Sequence, residues 1–307
     1  MPTLTDAHNE LVEKRRALAD SFTKVVAERR AAHQTAVGAA TRQIAPGGAT
    51  PLSMLAIGDS WFDYPVTDAQ VWSFGLAENS ILGPNHLPAL GALKPQVLSL
   101  ALHGQAMTDM LGLPKLQMTI ADLENPGNWF DGKPDAILVS GGGNDVVGDR
   151  LALFVDPVAR KLDEAAFSGM LDFVVAAYQK LFHLRDLHAP GVPIFGHCYD
   201  YAIPNGRHIY LPDEGPWLQP SLQAFGLSDA ESSALVSEII DLFHDRLASL
   251  AAVGANRFTL VDTRKSVAPN TMPTLGWGNE MHPYADGFKS VAQRFLAALR
   301  LAFPGRI

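Results

Sequence analysis

Cysteine is scarce in this sequence, in which Cys198 is the only one among 307 residues. A single thiol cannot form an intramolecular disulfide, so the fold does not depend on an oxidising compartment. The N-terminus has mixed charge and lacks the apolar core of about 7 to 15 residues that a secretory signal peptide needs. We therefore expect a cytoplasmic protein.

Positively charged residues are fewer than negatively charged ones, and long apolar runs are missing. Lys and Arg total 24 against 32 for Asp and Glu, which gives a formal net charge of −8. A negative protein is not attracted to phosphate backbones or to anionic membranes. The longest apolar stretches have the length of a strand and fall short of the roughly 20 residues that cross a bilayer. We expect neither a nucleic-acid partner nor an integral membrane protein.

Common metal and phosphate motifs are missing as well. The sequence contains no H-E-x-x-H motif and no paired Cys or His spacing of the kind that holds zinc. The three glycines Gly141-Gly142-Gly143 belong to neither a G-x-G-x-x-G motif nor a P-loop with its lysine. We therefore expect no metal ion and no cofactor.

A long helix is predicted at the N-terminus. Residues 5–43 contain no proline and a single glycine, so nothing in this stretch breaks a helix. An apolar residue recurs every seven positions, at Leu4, Leu11, Leu18 and Val25. This spacing indicates an amphipathic helix with one apolar face.

Prolines and paired glycines then end the helical pattern. We divide the chain into an N-terminal amphipathic helix over residues 1–45, a linker over residues 46–51 and a globular domain over residues 52–307. The helix is expected to pack on the domain. The alternative is an assembly element that joins copies of this chain into a homo-oligomer.

Five short apolar runs follow the linker, at Met54–Ile57, Val97–Leu102, Ala136–Val139, Val192–Phe195 and Phe258–Val261. Continuous apolar runs are typical of parallel strands that are buried on both faces. Amphipathic helices are predicted over residues 167–187, 230–252 and 284–301. The alternation predicts an α/β protein, a three-layer α/β/α domain with a five-stranded, mostly parallel sheet.

Polar residues follow these predicted strands at the edge where such sheets bind ligands. Ser60 comes after the first strand, Gly104 after the second and Asn144 after the third, and His282 precedes the last helix. Acyl transfer needs a hydroxyl, an imidazole that takes its proton and fixed donors for the oxyanion. Ser60 is the candidate nucleophile and His282 the candidate base. The N–H groups of Ser60 and Gly104, with the Asn144 amide, are the candidate oxyanion hole.

These blocks resemble those of the SGNH hydrolases, also called the GDSL esterase/lipase superfamily. The matching residues are spread over roughly residues 54 to 300, namely Gly58-Asp59-Ser60, Gly104, Gly143-Asn144-Asp145 and His282. The resemblance implies a flavodoxin-like SGNH fold with a five-stranded sheet, and it implies the same roles for these residues. The function that it implies is a cofactor-free serine esterase that forms an acyl-Ser60 intermediate.

One position departs from the pattern of the family. The family has an aspartate three residues before the histidine, where this chain has Asn279. A neutral amide orients an imidazole less well than a carboxylate does. Glu280 has the charge but lies only two residues before His282, and Asp262 and Asp286 are more distant candidates. Asn279 and Glu280 both remain candidate catalytic partners of the histidine.

Aromatic residues suggest where a substrate binds. Residues 199–225 form a long segment rich in aromatics and prolines, which we expect to line the substrate pocket, although an ordinary surface excursion is the alternative. Trp61, Tyr201 and Trp217 are the candidate substrate-binding residues. They fit a small-molecule, lipid or glycan ester without distinguishing among these classes.

Two functions are compatible with these residues. The first is a serine esterase that uses Ser60 and His282. In the second, Asn279 marks a decayed triad, and the protein is a weak or inactive binding module for an acyl ligand.

Overall fold

The structure is a computed structural model that describes residues 4–64, 80–82, 86, 94–207, 215–272 and 275–307. Its strands are β1 (Ser53–Gly58), β2 (Gln96–Ser99), β3 (Ala136–Ser140), β4 (Val155–Asp156), β5 (Lys161–Leu162), β6 (Ile194–His197) and β7 (Phe258–Val261). Its helices are α1 (Leu4–Thr41), α2 (Met107–Met110), α3 (Lys115–Glu124), α4 (Glu164–His188), α5 (Gln219–Ala224), α6 (Asp229–Ala251) and α7 (Ala285–Ala302).

Five strands form one parallel sheet in the order β2-β1-β3-β6-β7. This is the strand order of flavodoxin-like folds. Every residue of β1, β3 and β6 is buried, which explains why these strands read as continuous apolar runs. The predicted α/β fold and its five strands are confirmed. The small antiparallel pair β4-β5 was not predicted, because two residues per strand leave no pattern.

Helices complete the predicted layers. The three helices expected from the sequence correspond to α4, α6 and α7, and each boundary differs from the prediction by no more than three residues. Helix α4 packs against α6, while Phe295 of α7 packs on Phe62 just beyond β1. In the part of the chain that the structure describes, no helix has the length and hydropathy to cross a bilayer.

Helix α1 packs on the domain beside β2. Its side chains are described mainly from Phe22 onward, and its buried face comprises Phe22, Val26, His33, Val37 and Ala40. Of the predicted seven-residue stripe only Val25 has a described side chain, and it is half-buried. Residues 1–3 and the side chains of Leu4, Leu11 and Leu18 lie outside the description.

Polar contacts also hold α1 on the domain. Arg29 donates to the carbonyl of Ala101 at 2.7 Å, and Arg30 donates to both carboxylate oxygens of Asp122 at 2.5 and 2.8 Å. Charged residues therefore share the interface with apolar ones, and apolar spacing alone does not define the buried face. The helix ends at Thr41, four residues before the predicted boundary.

Candidate active site

The nucleophile candidate lies at the edge of the sheet where the strand order changes direction. Ser60 follows β1, and the next strand in the sheet, β3, leads into the turn that carries Asn144. The N–H of Asp59 donates to the carbonyl of Ser140 at 3.0 Å, which continues the pairing of β1 with β3 beyond Gly58. Ligands of open parallel sheets bind at this kind of switch point.

Ser60 and His282 form a hydrogen-bonded pair. The Ser60 Oγ lies 2.7 Å from the Nε2 of His282, and both side chains are buried. A tight turn presents the imidazole, since the N–H groups of Gly278 and Asn279 both donate to the carbonyl of His282. The distance is that of a nucleophile and its general base.

Asn279 holds the other side of the imidazole. Its Oδ1 lies 3.1 Å from the Nδ1 of His282, and it also accepts the backbone N–H groups of Met281 and His282 at 2.9 and 2.7 Å. Its Nδ2 donates to the hydroxyl of Tyr64 at 2.9 Å. If the Asn279 amide were turned the other way, its NH₂ group would face two N–H donors. The hydrogen bonds therefore select the orientation in which Oδ1 faces the imidazole. His282 then carries its proton on Nδ1, which leaves Nε2 free to accept from Ser60.

Aromatic rings enclose the imidazole. Tyr64 stacks on His282 with ring centroids 4.0 Å apart and planes 13° apart, and Trp217 meets the ring edge-on at 5.5 Å. Burial, together with the nearby charge of His103, lowers the pKa of His282 to about 3. The imidazole is therefore neutral at physiological pH and can accept a proton.

Glu280 is engaged elsewhere, although it immediately follows Asn279. Its fully buried carboxylate accepts four backbone N–H groups, from Gly206 and Gln219 on Oε1 at 3.0 and 2.9 Å and from Trp217 and Leu218 on Oε2 at 2.5 and 2.7 Å. The structure thus places Asn279, not Glu280, against the imidazole. Glu280 instead ties Gly206 and residues 217–219 to the turn that carries His282.

This anchoring leads to a prediction for stability. Glu280→Ala leaves four buried N–H groups without their acceptor, and each such loss costs about 1–3 kcal/mol before water or relaxation compensates. We expect the free energy of unfolding to fall by about 3 kcal/mol or more, measured by urea denaturation. Glu238→Ala on the exposed face of α6 is the matched control, with an expected change within about 0.5 kcal/mol. Equal stability of the two variants contradicts the anchoring role.

The remaining acidic candidates lie away from the histidine. Asp262 pairs with Arg264 at 2.9 Å, and the hydrogen bonds from this guanidinium lower the pKa of Asp262 to about 2. Asp286 is exposed in the first turn of α7. Neither carboxylate is among the described contacts of His282.

The three candidate oxyanion donors lie at the same edge. The N–H groups of Ser60 and Gly104 donate to no acceptor among the described residues, so both can donate to a ligand. Asn144 donates one amide hydrogen to the carbonyl of Gln105 at 3.0 Å, which fixes the side chain and leaves its second hydrogen for a ligand. Ser60 and Asn144 line one pocket.

The glycines before Asn144 are required by close packing. A Cβ on Gly142, which has φ of 109°, comes 2.7 Å from the Phe243 ring, and one on Gly143 comes 2.8 Å from the Tyr199 ring. The N–H of Gly143 donates to the Tyr199 hydroxyl at 3.0 Å. The turn that carries Asn144 is thus held against the ring of Tyr199.

Asp59 links that tyrosine to the nucleophile turn. One carboxylate oxygen accepts from the Ser140 hydroxyl at 2.6 Å and from the N–H of Trp61 at 3.0 Å, while the other accepts from the Tyr199 hydroxyl at 2.6 Å. Burial raises the pKa of Asp59 to about 6. Asp59 thus joins the turn of Ser60 to Ser140 and Tyr199.

Two tyrosines of the site were missed by sequence reasoning. Tyr64 lies four residues after Ser60, and no pattern in the sequence connects it with Asn279. Tyr199 has a left-handed backbone with φ of 64°, which no sequence signal indicates for a tyrosine. Both tyrosines make their hydrogen bonds with residues that are distant in the chain, Tyr64 with Asn279 and Tyr199 with Asp59.

The predicted substrate-binding residues separate into two groups. Trp61 lines the pocket beside Ser60, and Trp217 contacts His282. Tyr201 does not line this pocket. Its hydroxyl instead donates to Asp241 at 2.7 Å. Residues 208–214 of the predicted pocket segment lie outside the described residues.

Among the described residues, no group of three or more His, Cys, Asp or Glu side chains could hold a metal ion. Cys198 is buried, and its burial raises the pKa of the thiol to about 11, so the thiolate form is disfavoured.

Comparison with known proteins places this geometry in a known fold. An extracellular lipase from Streptomyces rimosus is similar over 80% of this chain and 99% of its own, with 17% identity and a TM-score of 0.50. The chain has the SGNH hydrolase fold.

Other structures with lower TM-scores are also similar to the chain. The lipase Lip_vut3 from a goat rumen metagenome is 15% identical over 80% of this chain and 97% of its own, with a TM-score of 0.49. A GDSL-like lipase from Parabacteroides merdae is 14% identical over 82% and 97%, with a TM-score of 0.48. No protein-family model and no curated protein matches the chain. At such identities a similarity concerns the fold alone, and the activity is argued from the residues of the site.

Proposed function

We propose that this SGNH protein is a serine hydrolase that cleaves carboxylic esters through an acyl-Ser60 intermediate. The observation that carries the proposal is the 2.7 Å hydrogen bond between Ser60 Oγ and His282 Nε2, in a site where Asn279 selects the required tautomer. Free N–H donors at Ser60 and Gly104 support it further.

The reaction begins when Ser60 Oγ attacks the carbonyl carbon of the ester and His282 Nε2 takes the hydroxyl proton. The carbonyl oxygen becomes an oxyanion that accepts from the N–H groups of Ser60 and Gly104 and from the Asn144 amide. His282 then gives its proton to the leaving alkoxide, and the alcohol departs. Water repeats the sequence on the acyl-Ser60 ester and releases the acid. Each oxyanion donor contributes typically about 3 kcal/mol to this step.

Asn279 acts on His282 and does not touch the ester. Its amide oxygen keeps the Nδ1 proton in place, as the asparagine does in the Cys-His-Asn arrangement of papain-like proteases. A neutral amide gives the imidazolium less electrostatic stabilisation than a carboxylate gives. We therefore propose an orienting role for Asn279, with Tyr64 holding its amide.

The second candidate function is a binding module for an acyl ligand. The observation that favours it is that the amide of Asn279, and no carboxylate, faces the Nδ1 of the buried His282, whose low pKa makes it a weak base. A weak base activates Ser60 poorly, although it still accepts the proton. Reactivity of Ser60 separates the two functions.

The test is covalent labelling with a fluorophosphonate, followed by peptide mass spectrometry, together with hydrolysis of p-nitrophenyl butyrate. We expect one label per chain on Ser60 and loss of hydrolysis in proportion to labelling. Urea-denatured protein is the control, since an unactivated serine does not react. Absence of the label, or a label on another serine, contradicts the hydrolase and favours the binding module.

A further inference from the structure

An apolar pocket opens beside the nucleophile. It encloses about 670 Å³ of empty space, part of which is open to solvent. Ser60 and Asn144 stand on its wall. Helix α6 supplies four lining residues, and several other segments supply the rest. The apolar side chains include Leu151, Leu218, Val236, Ile239, Ile240 and Phe243.

The acidic residues in the wall are already satisfied by the protein. Both oxygens of Asp59 accept from Ser140, Trp61 and Tyr199. Asp200 accepts four backbone N–H groups, those of Tyr201, Lys265, Ser266 and Val267. The deeper wall therefore has no carboxylate that lacks a partner and could bind a hydroxyl or an amine of a ligand. An apolar group is what the pocket accommodates without leaving polar atoms unpaired.

The position of the pocket relative to the histidine decides which part of an ester enters it. Ser60 and Asn144, which flank the reacting carbonyl, line the pocket, whereas His282 does not. His282 has to reach the oxygen of the leaving alcohol in order to protonate it. The alcohol is thus on the histidine side, and the acyl substituent is on the side of the pocket.

We propose that this pocket binds an aliphatic acyl chain longer than acetyl and selects esters by that chain. The proposal rests on the serine hydrolase function above and adds the substrate class. An acetyl group leaves most of the apolar wall uncovered, whereas each methylene that becomes buried raises kcat/KM by about fourfold.

The experiment compares p-nitrophenyl acetate, butyrate, hexanoate and octanoate at one pH. We expect kcat/KM to rise by about fourfold per methylene from acetate until the pocket is filled. A kcat/KM for acetate equal to or above that for hexanoate overturns the acyl pocket.

A pair of variants on α6 locates the effect. Ile240 lines the pocket and Leu242 does not, while both are half-buried and packed on the core. In Ile240→Trp we expect the hexanoate-to-acetate ratio of kcat/KM to fall by about tenfold or more. In Leu242→Trp we expect the wild-type ratio. Equal ratios in the two variants overturn the assignment.

Two further measurements complete the test. If Ile240→Trp does not fold, Ile240→Ala replaces it. We expect Ile240→Ala to shift the best substrate towards octanoate, and an unshifted preference overturns the proposal.

Fluorophosphonate labelling is run in parallel. Labelled, active protein with no chain-length preference overturns only the acyl pocket, whereas protein that neither labels nor turns over any ester overturns the hydrolase function as well.

Discussion

Replacing Ser60 with alanine is expected to lower kcat for p-nitrophenyl butyrate by about 10³-fold or more. The variant lacks the oxygen that forms the acyl intermediate. His282→Ala is expected to cause a loss of similar size, because its Nε2 is the hydrogen-bond partner of Ser60 Oγ at 2.7 Å. The double variant is expected to be no slower than either single variant, since the two residues act as one unit.

Matched controls keep this result specific. Ser237→Ala and His183→Ala remove the same side-chain types at positions that do not line the pocket, and both are expected to retain wild-type kcat. Steady-state kinetics on purified, folded protein provide the measurement. Retention of more than about a tenth of the activity by Ser60→Ala contradicts an acyl-Ser60 intermediate.

Asn279→Asp is expected to make the enzyme faster at pH 8 by about 10- to 10³-fold. A carboxylate close to the imidazole raises its pKa by about 1–3 units, and the same free energy stabilises the imidazolium that forms during the reaction. The site can receive the charge, because two backbone N–H groups and the Tyr64 hydroxyl already surround Asn279. An Asn279→Asp variant slower than wild type at pH 8 contradicts the orienting role.

The same substitution changes the pH dependence. In the wild-type protein the pKa of His282 is about 3, so the imidazole stays unprotonated from pH 8 down to pH 5. In Asn279→Asp the raised pKa brings protonation, and hence loss of the base, towards this range. We expect the ratio of variant to wild-type kcat/KM to fall by up to about tenfold between pH 8 and pH 5.

The ratio of variant to wild-type kcat/KM is used because a second buried group near the site titrates in the same pH range and would affect each profile. The pKa of Asp59 is raised to about 6, and this group is common to both proteins. Dividing the two profiles isolates His282. Asn125→Asp, which adds the same charge at a turn beside α3, is the control and is expected to give a constant ratio. A constant ratio in Asn279→Asp as well argues against contact between residue 279 and the imidazole.

The sequence by itself determined the fold and the groups brought to the sheet edge. Five apolar runs were sufficient for the sheet, because buried parallel strands leave a local signal. Ser60, Asn144 and His282 could be grouped because residues that follow parallel strands meet at one edge. Short elements such as β4 and β5 left no such signal.

Tertiary structure alone decided which neighbour contacts the histidine. Spacing favoured Asn279 and charge favoured Glu280, and both preferences were local. The decision depended on Tyr64, 215 residues away, whose hydroxyl accepts from the Asn279 amide. It also depended on the backbone N–H groups of Gly206 and residues 217–219, which donate to Glu280. Contacts of this kind join segments that only folding brings together. For the same reason, the place of Tyr201 outside the pocket could not be read from local pattern.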